Sequence, residues 1–274
     1  MKQYIYKFET MSTECELILF SHSKEVADKA AKSVLQEAKR LEKKYNYFDE
    51  NSYLSALNKR EENLLDMESK NLLERAKKYY TKTGGIFDIT VATFKPLYTE
   101  NLNEEALAKK KEALLPYVGC EHFFIKKGKL IFDNSFTKID LGGFVKEYSV
   151  DRAVKVLQKE KIKSALINFG GDIYALGKKP NGKKFRVGIK DPHNTSKHVK
   201  SAEIEDEALT TSASYERNYQ VGDKTFSHIL SKEEADTQPL SVTVISKNCV
   251  ESGVFSTALM LNPSLKTSHK TIIL

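Results

Sequence analysis

Apolar and polar positions alternate at the start of the chain, so residues 3 to 9 and 14 to 21 read as two strands joined by a turn at Thr10 to Thr13. The period then lengthens. Over residues 24 to 45, Val26, Ala27, Ala30, Ala31, Val34, Leu35, Ala38 and Leu41 recur at three- and four-residue spacing. That spacing predicts a long amphipathic helix whose lysines lie largely on the opposite, solvated side. Ser52, or Asn51 beside it, can cap a short helix through Leu57 by accepting a hydrogen bond from a free backbone N–H. A further helix is expected from about Ser69, with Leu72, Leu73, Ala76 and Tyr80 inward and Gly84 ending it. The charged segment 101 to 113 predicts another helix, and FFIKK and KLIF around Gly128 predict a hairpin over 122 to 133.

From Ile139 the pattern reads strand, glycine turn, helix (149 to 160), strand (164 to 169), a second glycine turn and a strand. Segments 184 to 189, 216 to 221, 225 to 230 and 240 to 246 read as antiparallel strands, 191 to 201 as a polar loop, and a helix follows from about Cys249. No repeat, low-complexity tract or Pro/Gly-rich linker divides the chain. The expected class is α+β, with helices packed on mixed or antiparallel sheets in one continuous domain over residues 1 to 274.

A chain of 274 residues can bury a full core. Its formal net charge of +7 is spread along the whole length, which argues against a nucleic-acid partner and suits attraction of a small polyanion. Cys15, Cys120 and Cys249 are widely spaced, odd in number and form no metal-ligand pair, as expected of buried thiols in a reducing compartment. The N-terminus has no long apolar region before a small-residue cleavage site, and no stretch reads as a membrane span. The expected location is therefore the cytoplasm.

The densest candidate chemistry lies between Ile139 and Asp172. Gly142 and Gly143 precede a helix, and Gly170 and Gly171 precede Asp172, so the backbone can approach a ligand closely at two places. A helix N-terminus after Gly143 would offer free N–H groups to an anion such as a phosphate, with Lys146 in the first turn. Glu147, Asp151 and Asn168 add polar groups nearby. The same glycine pairs serve equally well as plain tight turns. Asp88 and Thr90 follow the helix stop at Gly84 and Gly85, and Ser256 and Thr257 open the small-residue helix turn STALM. His228 alternates with Phe226 and Leu230 in a strand, where a histidine is either packed or an acid–base group. No Gly-x-Ser-x-Gly is present, and His22, His122, His193, His198 and His269 read as surface residues.

Taken in order, these segments resemble the ApbE family, flavin transferases that move FMN from FAD onto a protein Ser or Thr. FETMSTECELILF is similar to the family's Met-Gly-Thr strand-turn-strand, with Ser12 where glycine is usual. KKYNYFDENSYLSALN, TGGIFDITVATFKPLY, DLGGFVKEYSVDRA, SALINFGGDIYALG followed by FRVGIKDP, TTSASYERNY with FSHIL, and SGVFSTALM match the remaining motifs. The resemblance covers nearly the whole chain and implies two intimately packed lobes with an FAD site between them. It implies Met11 and Phe48 near the flavin or adenine rings, Asp88 and Thr90 shaping the pocket, and Lys146, Gly142, Gly143, Gly170, Gly171 and Asp172 toward the ribose and phosphates. It further implies Mg²⁺ on the Val145 carbonyl and the Thr257 hydroxyl, with His228 and Lys146 serving catalysis. His228 would take the proton from the acceptor hydroxyl. The implied partner is an acceptor flavoprotein carrying a Ser/Thr flavinylation motif, and AMP is the leaving group. No such motif is visible in this chain, so self-modification is not expected.

The chain departs from the family pattern at informative places. An aspartate is usual four residues before the metal-binding threonine, where this chain has Gly253; a Lys-Gly pair is frequent where it has Lys146-Glu147. Glu147 is the expected source of the missing oxygen from across the site, with Glu251 as the other candidate. SKEEADTQP replaces the usual Asp-Pro-x-Thr-Gly after the histidine strand. Two other activities fit the same residues: an FAD-binding protein without transferase activity, and an FAD pyrophosphatase giving FMN and AMP.

Overall fold

The computed structural model of the chain describes residues 1–214, 218–221, 224–227, 229–232 and 239–274. Strand β1 (Lys2–Thr10) pairs antiparallel with β2 (Thr13–Ser21), and the turn between them holds Met11 and Ser12 at φ of 52° and 55°. Two successive left-handed residues match the right-handed twist of a hairpin, though neither is the glycine that adopts this conformation most cheaply.

Helix α1 (Lys24–Tyr45) starts where the Ser23 hydroxyl accepts from the Val26 N–H, and it buries Ala27, Ala30, Ala31, Val34, Ala38 and Leu41. Val26, expected inside, is 41% exposed because it falls beside that stripe in the first turn. Ser52, rather than Asn51, caps α2 (Tyr53–Lys59). Helix α3 (Met67–Lys82) begins two residues before the expected Ser69, because the Asp66 carboxylate accepts from the Ser69 N–H. Asp88 caps a 3-10 helix (Ile89–Tyr98) that the apolar pattern did not announce. Helix α4 (Glu104–Leu114) and the β3 (Phe123–Lys126) and β4 (Lys129–Phe132) hairpin follow as expected.

The strand expected at Ile139 is absent, and α5 (Gly142–Lys159) begins at the glycines and not at 149. Strands β5 (Ala165–Phe169) and β6 (Asp172–Leu176) form the hairpin around the second glycine pair. Then come β7 (Phe185–Asp191), β8 (Asn194–Ile204), β9 (Glu207–Ala213), β10 (Asn218–Val221), β11 (Lys224–Ser227), β12 (Ser241–Ser246), α6 (Cys249–Leu261) and β13 (Lys270–Ile273). The expected polar loop at 191 to 201 is mostly β8, paired with β7. Its residues through Ser201 are largely exposed, and Ala202 and Ile204 are its buried members, so it lacks the apolar alternation that marks a half-buried strand.

One antiparallel sheet runs in the order β1-β2-β5-β6-β9-β12-β13. Side chains alternate across it. Leu17, Leu19, Ala165, Ile167, Phe169 and Ala208 pack with α1 and α5 on one face. Phe20, Leu166, Ile173, Leu209 and Ile245 turn to the other face, under Phe185, Val187, Ala202 and Ile204 of the β7–β8 hairpin. A second large core joins α2, α3, the β3–β4 hairpin, the start of α5 and the apolar side of α6 through Leu54, Leu72, Leu73, Phe123, Phe144 and Leu259. Helix α5 therefore enters both cores, which places its first turns where they meet.

Candidate functional site

The start of α5 lacks a side-chain cap, and its glycines are exposed. Neither Gly142 nor Gly143 has a positive φ, so the conformational freedom expected of them is not what the position uses; Gly143 sits at φ −83° and ψ 19°, a kink in the first turn. What glycine supplies here is a bare backbone surface. A Cβ on Gly143 would meet nothing within 4 Å. The N–H groups are partly committed, since Gly142 N donates to Asp140 Oδ1 (2.9 Å) and both Phe144 N (2.9 Å) and Val145 N (2.6 Å) donate to the Leu141 carbonyl. Asp140 also pairs with Lys95, whose Nζ lies 4.8 Å from the Tyr47 ring centroid and 5.1 Å from that of Phe48. Phe48 is 69% exposed, a large ring presented beside this charged pair.

The second glycine pair behaves as expected. Gly170 and Gly171 take φ of 59° and 93°, and the Asn168 side chain holds the turn by accepting from Gly171 N at 2.9 Å. Gly170 N donates to the Glu14 carbonyl, and a Cβ on Gly170 would lie 2.0 Å from Thr13 Oγ1. The two hairpin turns therefore sit side by side, with Met11 in one and the glycine pair in the other. Met11 N donates to Glu42 Oε1 at 2.5 Å, which anchors its turn to α1. Asp172, 1% exposed, opens β6 and pairs with Lys146 from the first turns of α5. Two sets of contacts thus meet the first turns of α5: the Met11 turn lies beside Gly170 and Lys146 pairs with Asp172, while Gly142 binds Asp140, which pairs with Lys95 beside Phe48.

Behind Lys146, α5 faces α6. Glu147 is buried, and its Oε2 has no hydrogen-bond partner. A Cβ on Gly253 would lie 2.5 Å from Glu147 Cγ and 2.9 Å from both Cδ and Oε1. The carboxylate thus lies against the bare backbone of Gly253, and burial raises its affinity for a proton. Thr257 stands one helical turn beyond Gly253 on the same side of α6, half-buried, with Oγ1 3.3 Å from Ser212 Oγ of β9. Thr210 and Ser252 (2.9 Å) and Ser212 and Ser256 (2.8 Å) continue a row of hydroxyls between β9 and α6. Asp151 fixes the two helices, accepting from Cys249 N (2.7 Å) and Val250 N (3.3 Å) at the start of α6, and burial pushes its carboxyl up to about 6. Glu251, the other candidate oxygen donor, lies 3.7 Å from both Lys82 Nζ and His269 Nε2.

Asp88 and Thr90 are 6% and 0% exposed, and their polar atoms face inward. Asp88 Oδ1 accepts from Thr90 N (2.8 Å) and Thr90 Oγ1 (2.5 Å), while Thr90 Oγ1 accepts from Gly119 N at 2.7 Å. Lys232 approaches the other Asp88 oxygen at 3.3 Å. These residues pin the 3-10 helix, and the Ile89 carbonyl between them accepts from Asp140 N at 2.9 Å, so they act on the α5 start through the backbone. His228 lies outside the described residues. His122 and His269, read as surface, are instead half-buried, each 3.2 Å and 3.7 Å from a carboxylate oxygen of Asp133 and Glu251. Lys95, Asp140 and Lys232 were missed as site residues; Asp140 stood in the quoted Asp-Leu-Gly-Gly, but Lys95 and Lys232 have no local pattern that singles them out.

Among the described residues, no three His, Cys, Asp or Glu side chains gather as a metal cluster. The oxygen donors on the facing sides of α5 and α6 are the Glu147 carboxylate and, one turn beyond Gly253, the Thr257 hydroxyl, a set suited to a hard cation and not to zinc. A buried carboxylate oxygen without a partner and a glycine surface beside it fit such an ion.

The model of the ApbE family matches residues 11–269 of the chain. A FAD:protein FMN transferase of Klebsiella pneumoniae is 29% identical over 158 residues, covering 56% of this chain and 46% of that protein. One from Treponema pallidum is 26% identical over 211 residues, covering 68% and 58%. The chain spans about half the length of these curated relatives. The crystal structure of the ApbE protein of Thermotoga maritima superposes with a TM-score of 0.88 at 24% identity, over 99% of this chain and 94% of that one. The flavin transferase ApbE of Vibrio cholerae gives 0.81 at 21% identity, over 99% and 97%. These likenesses establish the fold.

Proposed function

Since the chain belongs to the ApbE family, we propose that it transfers FMN from FAD to a Ser or Thr hydroxyl of an acceptor flavoprotein, forming a phosphoester and releasing AMP. The observation that supports this reading is the gathering of contacts on the first turns of α5, where Lys146 pairs with Asp172 near the Met11 turn and Asp140 pairs with Lys95 beside Phe48. Exposed Phe48 suits stacking on a flavin or adenine ring. The bare backbone at Gly142, Gly143 and Gly171 suits close approach of a pyrophosphate, and Lys146 is a cation that can turn from Asp172 to a phosphate oxygen. His228, by its place in the motif FSHIL, is assigned the base that removes the acceptor hydroxyl's proton. In this step the acceptor oxygen forms a bond to the FMN phosphorus, the bond to the AMP oxygen breaks, and the electron pair leaves with AMP. Val145, Glu147 and Thr257 would hold Mg²⁺. When bound, Mg²⁺ neutralises charge developing on the phosphoryl oxygens.

The test mixes the protein, FAD and Mg²⁺ with an acceptor domain carrying a Ser/Thr flavinylation motif. In-gel flavin fluorescence on the acceptor, lost in an acceptor Ser/Thr→Ala control, is the expected result. Free FMN and AMP with an unlabelled acceptor would establish a pyrophosphatase instead, and unchanged bound FAD a flavin-binding role. Among the described residues, no helix is long and apolar enough to cross a membrane.

A further inference from the structure

The pairing of Glu147 with Gly253 is an oddity of the α5–α6 contact. Glutamate on a helix face turned toward another helix is normally excluded from a core, because burying an ionised carboxylate without a partner costs several kcal/mol. Here the side chain is 5% exposed, one of its oxygens is wholly buried without a hydrogen bond, and no cation of the chain pairs with it among the described residues. The adjacent Lys146 is turned to Asp172. The space is provided by α6, since Glu147 Cγ, Cδ and Oε1 lie 2.5 to 2.9 Å from where a Cβ of residue 253 would stand. No side chain other than glycine's hydrogen leaves that volume free. The carboxylate therefore lies where a side chain from α6 would point, one turn before the Thr257 hydroxyl.

We infer that Glu147 and Gly253 form an exchanged pair, in which α5 supplies a carboxylate ligand for a divalent cation at the position a side chain of α6 would otherwise take. This deepens the transferase reading and rests on it for the use to which the cation is put. The cation class follows from the donors: carboxylate and hydroxyl oxygen favour Mg²⁺ or Mn²⁺ over zinc or copper. The exchange also makes a reciprocal prediction that a merely structural Glu147 would not. Glu147→Ala removes the three atoms that lie nearest a Cβ at 253, so an aspartate there is expected to be accommodated.

Mn²⁺ binding to the FAD-free full chain, read by electron paramagnetic resonance as loss of the free-ion signal, tests the pair without recourse to activity. The unmodified chain is expected to bind Mn²⁺ with competition by Mg²⁺. Glu147→Gln, close in volume, should weaken Mn²⁺ at least about tenfold. Glu147→Ala should do the same, and Glu147→Ala/Gly253→Asp should recover most of the affinity. Gly253→Asp alone should be destabilised by collision with Glu147, and a thermal melt of each variant separates that effect from loss of the site. Unchanged Mn²⁺ affinity in folded Glu147→Gln overturns the inference, as does a folded double variant no better than Glu147→Ala. Absence of flavin transfer with Glu147-dependent Mn²⁺ binding would instead refute the transferase reading and leave the exchanged pair standing.

Discussion

Lys146→Met tests whether the ion pair at the start of α5 is part of the scaffold or a charge held ready for substrate. Asp172 is 1% exposed, so removing its partner strands a buried carboxylate. Breaking such a pair from one side costs about 3–5 kcal/mol. The Lys146 side chain keeps 24% of its exposure, and solvent screening places this case near the lower end, about 3 kcal/mol. Against a typical total of about 5–15 kcal/mol that is a large loss. Asp172→Asn in the same background removes the stranded charge, so the double variant should recover about 2 kcal/mol of the single variant's deficit. The chain has no tryptophan, so urea unfolding at pH 7 is best followed by far-UV circular dichroism. FAD supplies the functional half of the assay. At about a hundred times its dissociation constant it should stabilise the unmodified chain by about 2.7 kcal/mol, and Lys146→Met much less at the same concentration. Additivity of the two substitutions within about 0.5 kcal/mol would refute the pairing, and equal FAD stabilisation of both proteins would refute the role toward substrate.

Asp151 predicts a specific pH dependence: its folded value of about 6 lies above the ordinary 3.8, so the folded chain holds the proton more tightly. Stability from this group is highest at low pH and falls as pH rises from about 4 to 6, by on the order of 3 kcal/mol, then levels. The stability of the unmodified chain minus that of Asp151→Asn should trace that fall in urea titrations, and a flat difference from pH 4 to 7 would contradict it. Gly170→Ala brings a Cβ to 2.0 Å from Thr13 Oγ1 at a φ of 59°, so it should lower the melting temperature and weaken FAD binding together. Gly171→Ala, with nothing within 4 Å of its Cβ, pays only for its φ of 93° and should be the milder of the two. Phe48→Ala should leave stability within about 0.5 kcal/mol, because the ring is 69% exposed, yet reduce FAD affinity about tenfold if it stacks on a ring. Fluorescence titration with FAD decides it, and unchanged affinity removes Phe48 from the site.

The elements legible in the sequence are those whose burial imposes a period. Helix α1 shows its alanine stripe, and β2 shows strict alternation of Cys15, Leu17 and Leu19 against partly exposed neighbours. Where burial imposes no period, the reading fails. Strand β8 is held by its backbone ladder to β7 and offers few apolar positions, and β13 is a short strand at the sheet edge. The start of α5 is ambiguous for a different reason: glycine's low helix propensity argues for a turn at Gly142 and Gly143. Asp140 and the Leu141 carbonyl instead gather the first N–H groups and let the helix begin there. Of the residues that the sequence singles out, Lys146 and Asp172 pair in the structure and Glu147 lies against Gly253. Lys95 could not be found this way, since its partners Asp140 and Phe48 are remote from it along the chain. Asp88 and Thr90 are expected to shape the pocket; in the structure their polar atoms turn inward and hold the 3-10 helix.

The Glu147–Gly253 contact shows why residue identity at one motif position is a poor guide to a site's chemistry. A ligand set is defined by points in space, and where two helices cross closely each can reach the same point from its own backbone. Only one can do so at a time, because the helix that yields must yield completely: even a Cβ on residue 253 would come within 2.9 Å of the carboxylate carbon. A glycine replacing an acid on α6 therefore reads, by itself, as loss of a cation site. Paired with a buried glutamate on α5, one of whose oxygens lacks a partner, it reads as transfer of the donor from one helix to the other. The thermodynamic consequence is that neither substitution is neutral alone. Glu147→Ala leaves a void and no carboxylate, while Gly253→Asp forces two carboxylates into one volume, where like charges and overlap both destabilise the fold. Only the pair of changes conserves both volume and charge, and that coupling is what distinguishes an exchanged ligand from an incidental buried acid.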